Sequence, residues 1–349
     1  MIADLDPRLS AASSAAASGI RDRLGRPFED LRVSLTPECN MRCPYCMPAS
    51  HFPRGYGRET RADLLDFDSI VRVVRAAVPL GLRKVRLTGG EPLLRPDVEK
   101  LVEKLATVTG VEDIALSTNG LLLASRAAGL ACAGLQRVNV SLDGITPEVF
   151  ARMSGGHGRL AAVLSGIRAA QDAGLAVKLN MVVRRGWNDR EILPLAEFAR
   201  REKLTLRFIE FMDVGMTNNW SREQVVTARE ILEALGSLAP LLPAPADEEG
   251  STATGYVYAD HGEIGIIASV SAPFCRGCRR ARLTSNGHFH TCLFSSLGHD
   301  LRPLLRSADQ DQLSENLSRI WSERTDRYSE LRATMHDKST RPEMSYLGG

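Results

Sequence analysis

From residue 31 to residue 212 short β-like runs alternate with longer helical patterns, and this alternation limits the fold of the 349-residue chain more than any other feature. Strands are expected at 31–35, 84–88, 113–117, 137–142, 176–183 and 205–211, with helices at 67–79, 96–107, 121–133, 160–173 and 189–203 between them. Successive strand–helix–strand units pair their strands in parallel through right-handed crossovers. Six units fall short of the eight that close a TIM barrel, so the fold class is α/β, an open, partial (β/α)6 TIM-like barrel. Beyond residue 213 the alternation stops. Residues 241–255, rich in Pro, Ala and acids, read as a flexible connector; 281–290 reads as a hairpin turning at Asn286-Gly287; 301–305 and 312–328 have helical patterns. The first 26 residues carry Asp4, Asp6 and an Ala/Ser tract without a long apolar centre, which argues for a flexible arm and against a secretory signal. The expected division is an arm at 1–26, the barrel at 27–222 and a C-terminal domain at 223–349.

Alternation within the strands adds a second constraint, because successive side chains point to opposite faces. Arg32 and Ser34 oppose Leu31, Val33 and Leu35; Lys84, Arg86 and Thr88 oppose Val85 and Leu87. Ala115 and Ser117, Asn139 and Ser141, and Lys178 and Asn180 repeat the split. With the apolar faces under the helices, the polar faces line the lumen. A small barrel normally fills its interior with branched apolar side chains, and isolated buried cations demand partners. These faces carry cations and no acid, which suits a polyanion; pairing with acids of the scaffold is the alternative.

Six of the seven cysteines fall into two groups. Cys39, Cys43 and Cys46 form C-x3-C-x2-C after the first strand, and Cys275, Cys278 and Cys292 form C-x2-C-x13-C around the hairpin. Tight groups argue for metal in a reducing compartment, hence a cytoplasmic protein, rather than a disulfide framework. Three thiolates with no fourth cysteine would leave one iron of a [4Fe–4S] cluster open to an exogenous chelator. A zinc site is the alternative in each group, completed in the second by His288 or His290. Cys132, in the apolar segment 129–135, reads as an inert buried thiol. The net charge of +2 exerts no global pull toward nucleic acid, and no apolar run approaches a membrane-spanning length.

The first cysteine group resembles that of the radical S-adenosylmethionine (SAM) superfamily, and Gly89-Gly90-Glu91-Pro92, ending the second strand, resembles that superfamily's Gly-Gly-Glu-Pro element. With the second cysteine group, Arg280-Ala281-Arg282 and the terminal Gly348-Gly349, residues from about 30 to 349 resemble the GTP 3′,8-cyclase family of molybdenum cofactor (molybdopterin) biosynthesis. The resemblance implies two [4Fe–4S] clusters, a reductive one on Cys39, Cys43 and Cys46 and a second on Cys275, Cys278 and Cys292 in the C-terminal domain. SAM would chelate the first open iron among Tyr45, Gly90, Ser141 and Met212. The guanine of GTP would meet the second, with contacts from Arg32, Arg86, Ser117, Lys178, Arg280, Ala281 and Arg282, and Lys84 and Arg207 as further candidates for the phosphates. Arg280, Arg282, Gly348 and Gly349 would serve the chemistry itself. That chemistry is one-electron cleavage of SAM to methionine and a 5′-deoxyadenosyl radical, which removes the 3′ hydrogen of GTP. The carbon radical then attacks C8, giving (8S)-3′,8-cyclo-7,8-dihydroguanosine 5′-triphosphate after reduction. The implied partners are GTP, SAM, an electron donor and the next enzyme of the pathway, cyclic pyranopterin monophosphate synthase, with the chain a monomer or homodimer. Two rivals stand beside this reading. A radical SAM peptide-modifying protein usually carries more cysteines after its barrel, and a non-catalytic iron–sulfur electron carrier has no use for an arginine-lined lumen.

Overall fold

Strands β1 (Asp30–Ser34), β2 (Lys84–Thr88), β3 (Asp113–Thr118), β4 (Arg137–Ser141), β5 (Ala176–Val183) and β6 (Thr205–Glu210) stand side by side in chain order and pair in parallel. They belong to a computed structural model that describes residues 19–57, 63–245, 250–334 and 341–348. The crossovers are α1 (Phe67–Ala77), α2 (Val98–Ala106), α3 (Leu123–Cys132), α4 (Pro147–Met153) with α5 (Leu160–Asp172), and α6 (Ile192–Arg201). Helix α1 shows how sequence places them. Asp66 caps it by accepting from the Ser69 amide at 2.6 Å, and Ile70, Val71, Val73, Val74, Ala76 and Ala77 form the stripe it buries. Helix α4 was not expected; Pro147 directly after Thr146 is the start signal that marks it.

After β6 come α7 (Ala228–Leu235), β7 (Leu241–Pro243), β8 (Thr254–Tyr258), β9 (Glu263–Ile267), β10 (Arg280–Leu283), β11 (His288–His290), β12 (His299–Asp300), α8 (Arg302–Ser307), α9 (Gln310–Ser322), α10 (Tyr328–Leu331) and α11 (Met344–Leu347). These late strands build no sheet of their own. Strand β10 pairs in parallel with β1, and β9 in parallel with β6, each followed outward by antiparallel strands. One 12-stranded sheet results, open between its edges β12 and β7.

Several expectations change. Within 241–255, expected as a flexible connector, β7 and the start of β8 pair through Leu241–Tyr258, Leu242–Val257 and Pro243–Tyr256, while residues 246–249 lie outside the described residues. In the 281–290 hairpin the turn spans Thr284 to Gly287, and Gly287 has φ near 90°, whereas Asn286 stays at negative φ; Asn286 instead accepts from Thr284 Oγ1 at 2.8 Å. Residues 1–18 of the proposed arm lie outside the described residues, but 19–26 are packed. Arg26 is buried against Asp22 at 2.6 Å, and the indole of Trp321 donates to the Arg26 carbonyl while stacking on Phe28 with ring centroids 4.8 Å apart. Cys132 is exposed, because Leu123, Ala127 and Leu130, spaced four and three apart, take the buried face of α3. Among the described residues, no helix is long and apolar enough to cross a membrane.

Candidate active site

Cys39, Cys43 and Cys46 occupy the loop that leaves the carboxyl end of β1. The neighbouring turn after β2 abuts this loop so closely that only glycine fits: a Cβ on Gly90 would lie 2.3 Å from the Glu38 carbonyl oxygen. The same carbonyl accepts from the Glu91 amide at 2.8 Å. Glu91 is fully buried and accepts from Thr118 Oγ1 and the Asn119 amide at 2.8 Å and the Leu93 amide at 3.1 Å, tying the ends of β2 and β3 together. Tyr45 donates its hydroxyl to Asp143 Oδ2 at 2.6 Å, which ties the cysteine loop to the end of β4. Burial and Glu91 push the Cys39 thiol up to about 11, and burial drives Cys43 and Cys46 up as well. Burial also raises Glu91 to about 7 and Asp143 to about 6. This wall is acid-bearing, and neither Asp143 nor Asn119 was singled out in sequence as a ligand-facing group of its own.

The second cysteine group sits differently. Arg324 donates to Cys278 twice, from Nη1 to its carbonyl at 2.8 Å and from Nη2 to Sγ at 3.2 Å, and Arg26 Nη1 donates to the Cys275 carbonyl at 2.8 Å. Burial opposes ionisation of Cys278, but Arg280 and Arg324 outweigh it and bring the thiol down to about 5. Burial, reinforced by Asp326, lifts Cys292 to about 12. No sequence signal connects Arg324 with a cysteine 46 positions away; the packing of the segment after α9 does.

The pairing of β10 with β1 brings the two groups together, and all six cysteines line one cavity of about 270 Å³. Tyr45, Gly90, Ser117, Ser141, Met212, Arg32, Arg86, Arg207, Arg280 and Arg282 line it too. Each group offers three cysteines and no fourth, the donor set that leaves one iron of a [4Fe–4S] cluster open; among the described residues no set of three or more His, Cys, Asp or Glu side chains forms a single-ion site. His288 and His290 do not line the cavity; His288 faces Asn286 at 3.2 Å, and burial holds His290 down to about 4.

A second cavity, about 660 Å³, lies toward the amino ends of the strands and shares Arg32, Arg86, Arg207 and Arg280 with the first. Lys84 and Lys178 line this second cavity only. Register explains the concentration of charge: Arg32 stands opposite both Arg86 on β2 and Arg282 on β10. The Nε atoms of Arg32, Arg86 and Arg282 are buried with no hydrogen-bond partner among the described residues. Burial and neighbouring guanidiniums lower Arg32 well below its ordinary value, Arg282 to about 10 and Arg207 to about 9. The expectation that the lumen holds no acid is corrected: Asp30 and Asp113, which begin β1 and β3, line the second cavity, and Arg137 donates to Asp113 at 2.9 Å. The alternation simply runs through the first residue of each strand. Asp30 offsets part of the charge of Arg32, Arg86 and Arg282, and Asp113 part of that of Arg86, but neither acid is a hydrogen-bond partner of the three buried Nε atoms. The Ala281 side chain faces the hydrophobic core, since alternation turns it away from Arg280 and Arg282.

The chain end reaches the same rim. Glu343 accepts from the Met216 amide at 2.9 Å and Thr217 Oγ1 at 3.0 Å, Tyr346 donates to Asn286 Oδ1 at 2.6 Å, and Met344 lines the first cavity. Gly348, with φ 70°, has no room for a side chain: its Cβ would lie 2.1 Å from Thr88 Cγ2, and Thr88 lines the first cavity. Gly349 lies outside the described residues.

Comparison with known proteins agrees with this geometry. The Radical SAM superfamily profile matches residues 33–199, and that of Molybdenum Cofactor Synthesis C matches 204–330. The chain is 47% identical over 332 residues to the GTP 3′,8-cyclase of Xanthomonas axonopodis pv. citri, covering 95% of this chain and 99% of that protein. It is 48% identical over 358 residues to the GTP 3′,8-cyclase of Acidothermus cellulolyticus, with coverage of 95% and 99%. Among solved structures, Streptococcus suis SuiB bound to S-adenosylmethionine shares the fold, with a TM-score of 0.62 at 15% identity over 93% of this chain and 76% of that one. An open parallel barrel, a three-cysteine loop beside a Gly-Gly-Glu-Pro turn and near-half identity over almost the whole length lead to one conclusion: the chain belongs to the GTP 3′,8-cyclase family of radical SAM enzymes.

Proposed function

We propose that the paired cavities hold the two ligands of the reaction this family carries out at the start of molybdenum cofactor biosynthesis, SAM at the acid-bearing wall and GTP along the arginines. The observation that carries this assignment is the cavity lined by all six cysteines and continued by Arg32, Arg86 and Arg282, whose buried Nε atoms have no hydrogen-bond partner among the described residues. Cys39, Cys43 and Cys46 would hold the [4Fe–4S] cluster that the radical SAM family uses, and Cys275, Cys278 and Cys292 a second one. When bound, the first cluster supplies the electron that cleaves SAM. The chain's own residues do the rest by position and charge. Tyr45, held by Asp143, Gly90, Ser141 and Met212 surround SAM, whose cationic sulfonium and ammonium suit a wall carrying Asp143. Arg32, Arg86, Arg282 and Arg280, with Ser117, orient GTP, and Lys84, Lys178 and Arg207 receive its triphosphate in the deeper cavity. A bound polyanion would offset the desolvation of buried cations that otherwise costs several kcal/mol per ion. Gly348 and Gly349 act with Arg280 and Arg282 on the substrate after SAM cleavage, the narrow approach past Thr88 admitting only glycine. Ala281 contributes backbone alone. An external one-electron donor and the pathway's next enzyme, cyclic pyranopterin monophosphate synthase, complete the set of partners.

Anaerobic reconstitution tests the reading. About eight irons per chain are expected, as two four-iron clusters require. With SAM, GTP and reductant, mass analysis should find the cyclised nucleotide. Deleting Gly348 and Gly349 should leave iron and 5′-deoxyadenosine formation in place while cyclised product falls. Full product formation by the truncated chain would remove the tail from the mechanism, and one zinc in place of iron would overturn the whole assignment.

A further inference from the structure

Arg42 lies inside the cysteine loop, between Cys39 and Cys43, and is only 5% exposed. Its guanidinium donates four hydrogen bonds, all to backbone carbonyls: Nη1 to Cys39 at 2.8 Å and Met41 at 2.7 Å, Nε to Phe52 at 2.8 Å and Nη2 to Pro53 at 2.8 Å. Its own amide donates to the Ser154 carbonyl at 3.1 Å, and its carbonyl oxygen sits where a Cβ on Gly155 would be 2.0 Å away. Three segments therefore converge on this residue: the cysteine loop, the stretch around 52–53 and the end of α4.

Carbonyl dipoles satisfy the donors without cancelling the charge. Among the described residues no carboxylate makes an ion pair with Arg42, in contrast to Arg26 or Arg137, each matched to an aspartate. A buried cation without a counterion is costly, so it persists where the surroundings supply an anion. Cys39 and Cys43, which flank Arg42 in the loop, would supply that anion as ligands of a cluster, whose negative charge grows on reduction.

We propose that Arg42 is a positioning residue for the reductive cluster. Its planar fork sets the shape of the Cys39–Cys46 loop, and its uncompensated charge stabilises the reduced state. The proposal rests on assigning that cluster to Cys39, Cys43 and Cys46. Charge and hydrogen bonding around the sulfurs are among the factors that set cluster potentials, and outer-shell partners tune metal affinity. A positive charge nearby favours the more negative, reduced form, so removing it shifts the midpoint to more negative potential.

The test uses the full chain, reconstituted anaerobically, with a redox titration of the EPR signal that changes on adding SAM. Arg42→Gln removes charge and fork; Arg42→Lys keeps the charge but cannot span four carbonyls. Arg42→Gln should titrate at more negative potential and hold iron about 10- to 100-fold more weakly against a chelator. Arg42→Lys should lose iron retention while its midpoint stays near that of the parent chain. Parent-like potential and iron retention in Arg42→Gln would overturn the proposal. If Arg42→Gln does not fold by circular dichroism, Arg42→Lys decides: undiminished iron retention there refutes the positioning role. Cys43→Ala separates this outcome from failure of the underlying assignment, since a SAM-responsive signal surviving in that variant would show the cluster to lie elsewhere.

Discussion

The two cysteine groups offer the same donor set in surroundings that differ most sharply at Cys278. Around Cys39, Cys43 and Cys46 the nearby carboxylates Glu91 and Asp143 add to burial, and the thiols rise. Around Cys278 burial also opposes ionisation, yet Arg280 and Arg324 reverse its effect and the thiol falls to about 5, while Cys292 beside Asp326 rises to about 12. Three thiolates can therefore be placed by local spacing, but the charge of what they face comes from the shell. An acid-bearing shell suits a sulfonium ligand; an arginine-rich one suits a triphosphate. In the proposed assignment, the arginine-rich end of the cavity would take the triphosphate and the end beside Asp143 the sulfonium.

The largest expected effect separates the ends outright. Replacing Cys39, Cys43 and Cys46 together by Ala should abolish 5′-deoxyadenosine formation while about four irons remain. The matching triple replacement of Cys275, Cys278 and Cys292 should retain SAM cleavage and lose cyclised nucleotide. If either triple variant lost all iron, the two ends would form one site and the contrast would collapse. Next in size, Arg86→Ala or Arg32→Ala should weaken GTP binding by about 1.5–3 kcal/mol, roughly tenfold to a hundredfold, with SAM binding little changed. Calorimetric titration of each ligand checks this; equal weakening of both would mean a damaged barrel rather than a lost contact.

The smallest effect sharpens the acidic end. Burial raises Glu91 from the ordinary 4.5 to about 7, so the fold favours its protonated form. The stability tied to that proton is complete below 4.5 and is lost as pH rises through about 7. Glu91→Gln, neutral throughout, should therefore flatten the decline that the parent chain shows over this window. Urea unfolding of the iron-free protein measures the difference, and parallel curves would contradict a carboxyl whose burial outweighs its three hydrogen bonds.

Much of the site was legible because its signals are local. Gly-Gly-Glu-Pro, the cysteine spacings and Arg-Ala-Arg are each contained in a few residues, although the reading of Ala281 as a contact overlooks the alternation that turns its side chain away from those of Arg280 and Arg282. What short stretches do not carry is set by non-local packing. Arg324 reaches Cys278 across 46 positions, Asp143 reaches Tyr45 across 98, and Arg26 reaches the Cys275 carbonyl across 249. Asp30 and Asp113 were missed for a smaller reason, since they begin their strands and the lumen-facing pattern extends one step further than the polar residues read from it.

By itself the sequence determined the parallel β/α order, which faces of the strands are polar, and the presence of two three-thiolate groups, because these depend on covalent spacing and on a side-chain period of two. Only the tertiary structure decided that β10 lies in parallel beside β1, placing Arg282, Arg32 and Arg86 on neighbouring strands and both cysteine groups around one cavity. Which strand occupies an edge, and in which register, is settled by burying apolar area against the whole sheet and core, an energy summed over contacts some 250 positions apart and absent from any short stretch of chain.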